Sequence, residues 1–113
     1  MVKEQIEQVM INLIDNAIKY TPENGEIEVK VMDKREKILV EVEDNGIGIP
    51  DEDKQRIFER FYRVDKARSR SMGGTGIGLS IVKHIIKNHD SEIKLESERG
   101  KGSKFWFYLK KAN

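Results

Sequence analysis

Apolar residues recur along this chain with two different periods, and the switches between them outline the elements. From Val2 to Tyr20 the apolar positions Ile6, Val9, Met10, Leu13, Ile14 and Ala17 fall at helical spacing and build one face. The run Thr21-Pro22-Glu23-Asn24-Gly25 ends that helix. Ile27, Val29 and Val31 then alternate with Glu26, Glu28 and Lys30, the period of a half-buried strand. After a polar turn at Asp33–Glu36, Ile38, Val40 and Val42 repeat the alternation, so the two strands are expected to form a hairpin. Pro50, with Asp51, Glu52 and Asp53 behind it, predicts the start of a second helix that closes with Ile57, Phe58 and Phe61. Arg63 to Thr75 shows little apolar periodicity and reads as a mobile loop. Helical spacing resumes from Gly76 to His89 through Leu79, Val82 and Ile86. Strands at Glu92–Glu96 and Ser103–Leu109, joined by Arg99-Gly100-Lys101-Gly102, complete the order. Short turns between adjacent strands favour antiparallel pairing. The expected fold class is α+β, a two-layer sandwich with a mostly antiparallel or mixed sheet and helices on one face.

Composition narrows this little. The 113 residues suit one domain, 1–113, with one core; 37% are hydrophobic and 36% charged, but the apolar ones are periodic rather than diluted. A net charge of +1 gives no overall field for nucleic acid or an anionic membrane. With no cysteine there is neither a disulfide framework nor a thiolate metal site. No stretch reaches the roughly 18 apolar residues of a membrane span, and Met1–Gln5 does not open a signal peptide. A cytoplasmic monomer is the expectation.

Glycine changes the picture more. Of nine glycines, all but Gly25 fall in three clusters, at Gly46–Gly48, Gly73–Gly78 and Gly100–Gly102. Such clusters mark tight turns or places where the backbone approaches a ligand. Asp44-Asn45-Gly46-Ile47-Gly48-Ile49-Pro50 follows a strand, and its aspartate is placed to accept a hydrogen bond from an exocyclic amine such as adenine's. Read alone, it is also an ordinary strand-to-helix turn. Gly73-Gly74-Thr75-Gly76-Ile77-Gly78-Leu79 precedes a helix, where successive N–H groups make an anion site; the bland alternative is a flexible loop end. At about 100° per residue, Asn12, Asn16 and Lys19 point within about 60° of one another, with Tyr20 nearer the core side. Two amides and an ammonium therefore border the buried stripe. An amide oxygen suits Mg²⁺ and a lysine balances phosphate, although a plain polar helix edge looks the same. Other nucleotide and metal signatures fail: there is no Gly-x-x-x-x-Gly-Lys-Ser/Thr, Leu79 stands where a dinucleotide turn wants glycine, and Asp44 lacks the companions of a calcium loop.

Taken together, in this order and spacing, these stretches resemble the catalytic, ATP-binding domain of sensor histidine kinases, within the Bergerat-type ATP-binding superfamily. Gln8–Tyr20 matches the asparagine box, Asp44–Pro50 the first glycine box, Ile57–Arg63 the phenylalanine box and Gly74–Leu79 the second glycine box. Gly100–Phe105 looks like the domain's closing turn and strand. The resemblance implies that Asn16 holds Mg²⁺ and that Asn12 bonds phosphate or metal-bound water. It implies that Lys19 and Arg63 balance phosphate charge and that Tyr20 lies against adenine or ribose. Asp44 would read the adenine amine, with Gly46, Gly48 and Ile49 forming the turn beside it. Gly74, Thr75, Gly76, Ile77, Gly78 and Leu79 would line the phosphates, and residues 64–75 would close as a lid.

Position 12 separates the branches of that superfamily. ATP-hydrolysing members resembling gyrase carry a glutamate there as general base; Asn12 is an amide and takes no proton at neutral pH. The resemblance thus implies transfer of the γ-phosphoryl group of Mg-ATP to a histidine on a separate dimerisation domain, with a response regulator acting further on. Neither His84 nor His89 is followed by an acidic residue, and both read as ordinary helix histidines. Two other readings stand: an ATP- or partner-binding fragment without activity, docking through Phe58, Phe61, Tyr62 and the arginines around them, and, more distantly, an ATPase of this superfamily.

Two departures from the pattern carry expectations. Family members usually place a strand or hairpin before the asparagine-box helix, so a sheet edge here is expected to be bare or differently covered. Asn88-His89-Asp90-Ser91 stands where the family often has His-Gly-Gly, so Asn88 or Asp90 should adopt the left-handed conformation to stop the helix.

Overall fold

The computed structural model describes residues 3–59 and 78–110. Helix α1 spans Lys3–Lys19, strand β1 Ile27–Lys34, β2 Lys37–Asp44, helix α2 Gly78–Asn88, β3 Lys94–Glu98 and β4 Gly102–Lys110. The four strands form one antiparallel sheet in the order β1-β2-β4-β3, and the helices lie on one of its faces. The two-layer α+β expectation is met. Phe105 and Phe107 of β4, Val40 and Val42 of β2, Val9, Leu13 and Ala17 of α1, and Val82, Ile85 and Ile86 of α2 share one core. Each fully buried phenylalanine stabilises it by about 1.5–3 kcal/mol. The opposite face of the sheet carries Lys104 and the single tryptophan, Trp106, whose ring lies 5.3 Å from the Lys104 ammonium.

Strand pairing is regular from end to end. Val29 faces Val42, which faces Phe105, which faces Leu95. The next row towards the glycine turn is Ile27, Asp44, Ser103 and Ser97. Side chains of a row share one face of the sheet, so this last row points to the helical side and closes the core with polar groups.

Three expectations need correction. Val29 and Val31 are not half-buried: they are 42% and 66% exposed, because α1 packs mainly over β2 and against α2 rather than over the edge strand β1. Ile11 and Ile18 on α1 are also open, at 60% and 58%. Among the described residues, the segment where a helix is predicted from Pro50 forms a 3₁₀ turn at Asp51–Asp53 followed by further turns as far as residue 59; Phe61 lies outside the described residues. Its bonds are mostly i→i−3, as from Asp53 N to Pro50 O at 2.9 Å, with one α-type bond from Ile57 N to Asp53 O at 3.0 Å. The adjacent pair Ile57 and Phe58 explains this: both reach the core without any longer helical stripe, and the Phe58 ring meets Phe105 edge-on at 6.1 Å. β3 starts at Lys94 rather than Glu92 and runs to Glu98, because its partners Ser103 and Gly102 extend the ladder that far.

The stop of α2 follows the expectation. Asp90 has φ 57°, Ser91 N donates to Ile86 O at 3.1 Å and Asp90 N to Lys87 O at 3.1 Å. This is a Schellman closure with aspartate in the position that usually holds glycine. No helix among the described residues is long and apolar enough to cross a membrane.

Candidate functional site

All three buried polar residues among those described are Asp44, Ser97 and Ser103, the row at one end of the sheet. The Asp44 carboxylate accepts from Gly46 N at 2.9 Å, and Asp44 pairs with Ser103 across the β2–β4 ladder. Burial raises its pKa above the ordinary aspartate range; the backbone N–H groups of Gly46 and Ser103 pull the other way and nearby Glu43 adds to the rise.

The turn after Asp44 has no regular structure, yet it is tied on every side. Asn45 N donates to Glu26 O at 3.2 Å, and the Asn45 side-chain oxygen accepts from Glu26 N at 2.7 Å. Ile47 N donates to Tyr20 O at 3.1 Å, and Ile47 O accepts from Gly100 N at 2.7 Å. Ile49 N donates to the Ser97 hydroxyl at 2.8 Å. The end of α1 thus grips the turn from one side and the β3–β4 hairpin from the other. At Gly46 and Gly48 the close contacts are backbone to backbone, which is why glycine stands there. A Cβ at Gly46 would meet the Tyr20 carbonyl oxygen. Gly48 has φ +73°, and a Cβ there would also run into the Glu98 carbonyl.

At the other end of α1's polar edge, the Asn12 Nδ2 donates to Gly78 O at 3.3 Å, at the start of α2. Its Oδ1 accepts from Gln8 Nε2 at 2.9 Å. From Asn12 to Tyr20 the helix rises about 12 Å, comparable with the reach from a purine to the end of its triphosphate. Between them, half-buried Asn16 makes no side-chain hydrogen bond to a described residue, and the Lys19 ammonium pairs with Asp15 at 2.9 Å. The predicted Asn12, Asn16, Lys19 and Tyr20 therefore lie on one line from the α2 N-terminus to the first glycine turn. Ile49 is buried beside Ser97, and Leu79 is half-buried against the core. Arg63, Gly74, Thr75, Gly76 and Ile77, the lid at 64–75, and the aromatic and basic stretch from Arg60 to Arg70 lie outside the described residues. His84 is exposed and contacts Asn88 at 3.3 Å, while a ring nitrogen of half-buried His89 lies 2.8 Å from Ile85 O.

Sequence reasoning missed Ser97 and Ser103. Ser97 Oγ donates to Gly102 O at 2.9 Å and lies 2.8 Å from Ser103 Oγ. The signal was available in the strand period: both serines hold inward positions in line with Leu95, Phe105 and Phe107, where a polar residue calls for a reason.

The model of the histidine kinase-, DNA gyrase B- and HSP90-like ATPase family matches residues 1–113, the whole chain. The chain belongs to that family. Within this ATPase family the likeness falls among the histidine kinases. The signal transduction histidine-protein kinase ArlS of Staphylococcus aureus (strain USA300) is 51% identical over 105 residues, covering 93% of this chain and 23% of ArlS. This chain thus spans about a quarter of the length of the curated relatives it matches. Two solved structures have the same fold. A mycobacterial sensor histidine kinase, MprB, superposes with a TM-score of 0.84 at 28% identity, covering 97% of this chain and 74% of that one. The catalytic domain of the histidine kinase ThkA gives 0.81 at 37% identity, covering 99% and 71%.

Proposed function

We propose that this domain binds Mg-ATP along the polar edge of α1 and donates the γ-phosphoryl group to a histidine on a separate dimerisation domain, in two-component signalling. The observation that carries the reading is the row Asp44–Ser103–Ser97, which holds a buried carboxylate beside a tightly bound glycine turn. Beyond the bond from Gly46 N, such a carboxylate can accept a hydrogen bond from a ligand that enters the same end of the core. The amine of adenine fits it. Tyr20 would lie against the base or ribose, and Gly46, Gly48 and Ile49 would form the wall beside it.

The phosphates would then run towards Asn12 and the N-terminus of α2. Gly78, with Gly74, Thr75, Gly76, Ile77 and Leu79, would present N–H groups and packing there, and Lys19 and Arg63 would balance charge. No group of three or more His, Cys, Asp or Glu able to hold a metal is found among the described residues. The Asn16 amide oxygen, half-buried on the polar edge of α1, would hold Mg²⁺. When bound, the ion would supply neutralisation of phosphate charge. Asn12 Oδ1 keeps a second lone pair beyond the bond from Gln8, so it can also hold a water or orient a phosphate. An amide is no general base, and a histidine acceptor brings its own lone pair, so the residues favour transfer over hydrolysis.

Two measurements test this. Calorimetry with ATP and Mg²⁺ should show binding that adenine-free triphosphates match only weakly. Mixing the chain with a histidine-bearing dimerisation domain of a sensor kinase should transfer labelled phosphate to that histidine. Steady ATP turnover by the chain alone, lost on Asn12 substitution, would overturn the kinase reading.

A further inference from the structure

Ser97 sits on a strand that supplies no residue to the proposed nucleotide contacts, yet its hydroxyl is fully committed. A hydroxyl has one proton and two lone pairs. The proton goes to Gly102 O at 2.9 Å, which leaves the proton on the Ser97–Ser103 contact to Ser103 Oγ. The two lone pairs accept from that hydroxyl at 2.8 Å and from Ile49 N at 2.8 Å. Nothing is left over for solvent or ligand, and the residue is 8% exposed.

Each of these partners belongs to the surroundings of Asp44. Ile49 ends the glycine turn that starts at Asp44. Gly102 is packed so closely against that residue that a Cβ at Gly102 would meet the Asp44 carbonyl oxygen. Ser103 faces Asp44 across the β2–β4 ladder, and its backbone N–H favours the charged carboxylate. Most other ties of the turn run through backbone atoms; Asn45 fixes its start, and Ser97 is the side chain that fixes its far end. We propose that Ser97 is a positioning residue for base recognition: its saturated hydroxyl clamps the far end of the glycine turn to the β3–β4 hairpin, and so holds the Asp44 carboxylate at the angle that discriminates adenine from other purines.

This rests on the assignment of Asp44 to the adenine amine, so the experiment separates the two. Affinities for ATP and for inosine triphosphate, which has a carbonyl in place of the amine, are measured with Mg²⁺ on the whole chain. Asp44→Asn should abolish the preference for ATP; if the preference survives, the base-reading role of Asp44 falls and this inference with it. Given that control, Ser97→Ala should cut the preference about fivefold to tenfold, mainly through weaker ATP binding. Ser97→Cys, close in volume but a weak hydrogen-bonding group, should do the same, and serves if the alanine variant does not fold. Ser97→Thr keeps the hydroxyl and should retain the preference. Hydrogen exchange at the Ile49 amide should speed up in the alanine and cysteine variants. Equal losses for both nucleotides, or an unchanged preference beside a lowered melting temperature, would reduce Ser97 to a purely structural residue and overturn the inference.

Discussion

At the carboxyl end of α1, Tyr20 holds the first glycine turn by a backbone bond at 3.1 Å, and the β3–β4 hairpin holds it from the other side by a backbone bond at 2.7 Å and the Ser97 hydroxyl, with close contacts that admit no Cβ. Eight residues earlier one side-chain hydrogen bond, from Asn12 at 3.3 Å, reaches the start of α2, and among the described residues a Cβ on Gly78 would find Asn12 atoms at 3.9 and 4.0 Å. Among the described residues, the glycine turn is thus cross-tied by more hydrogen bonds than the start of α2. A purine is rigid and is recognised by a fixed edge, so ordering its site in advance lowers the cost of binding.

That contrast predicts unequal responses to mutation. The largest should come from Gly48→Ala, which forces a left-handed residue to carry a side chain against the Glu98 carbonyl; a loss of about 3 kcal/mol in denaturant unfolding is expected. Gly78→Ala, where a Cβ would meet Asn12 at ordinary contact distance, should change stability by under about 1 kcal/mol. If the two glycines proved equally sensitive, the contrast would be broken. Asn16→Ala should weaken Mg-dependent ATP binding on the order of a hundredfold, with unfolding unchanged, since its amide carries no structural bond among the described residues. Unaltered affinity by calorimetry would remove the metal assignment.

Asp44→Asn should weaken ATP binding about tenfold without a loss of stability at neutral pH. The sign follows from burial. The folded pKa of Asp44 is raised, so the folded chain holds that proton more tightly than the unfolded one. Its contribution to stability therefore falls as pH rises from the ordinary aspartate range through the raised value. Melts of wild type and variant across that window should converge or cross in this direction; a variant less stable only at neutral pH would contradict it. The smallest effect is expected at Asp90→Gly, which relieves a non-glycine residue at φ 57° and should stabilise by about 0.5–1 kcal/mol in the same unfolding assay.

How far these features were legible in the chain varies by the physics behind them. Strand alternation located β2 and β4 closely, because both are covered by helices and their inward residues had to be apolar. The same alternation misled at β1, where Val29 and Val31 keep the period but α1 lies too far over β2 to bury them. Periodicity records what a strand is able to bury, not what arrives to bury it. Over the described residues 51–59 the helix expected after Pro50 is replaced by turns, because a favourable first turn was taken as a whole element, whereas Ile57 and Phe58 needed only tight turns to reach the core. Asp44 and its glycines stood out as a motif along the chain. Ser97 and Ser103 did not, because what unites them with Asp44 is the register of three strands, which no local spacing reveals.

Trp106 offers a use for that register. It is the single tryptophan, half-buried on the face of β4 away from the helices, three residues from Ser103 but on the other side of the sheet. Its emission is an optical reporter built into the wrong side of the molecule for seeing the ligand and the right side for seeing the scaffold. Fluorescence should follow unfolding faithfully and stay nearly silent during nucleotide titration, so one sample can yield both curves without one contaminating the other.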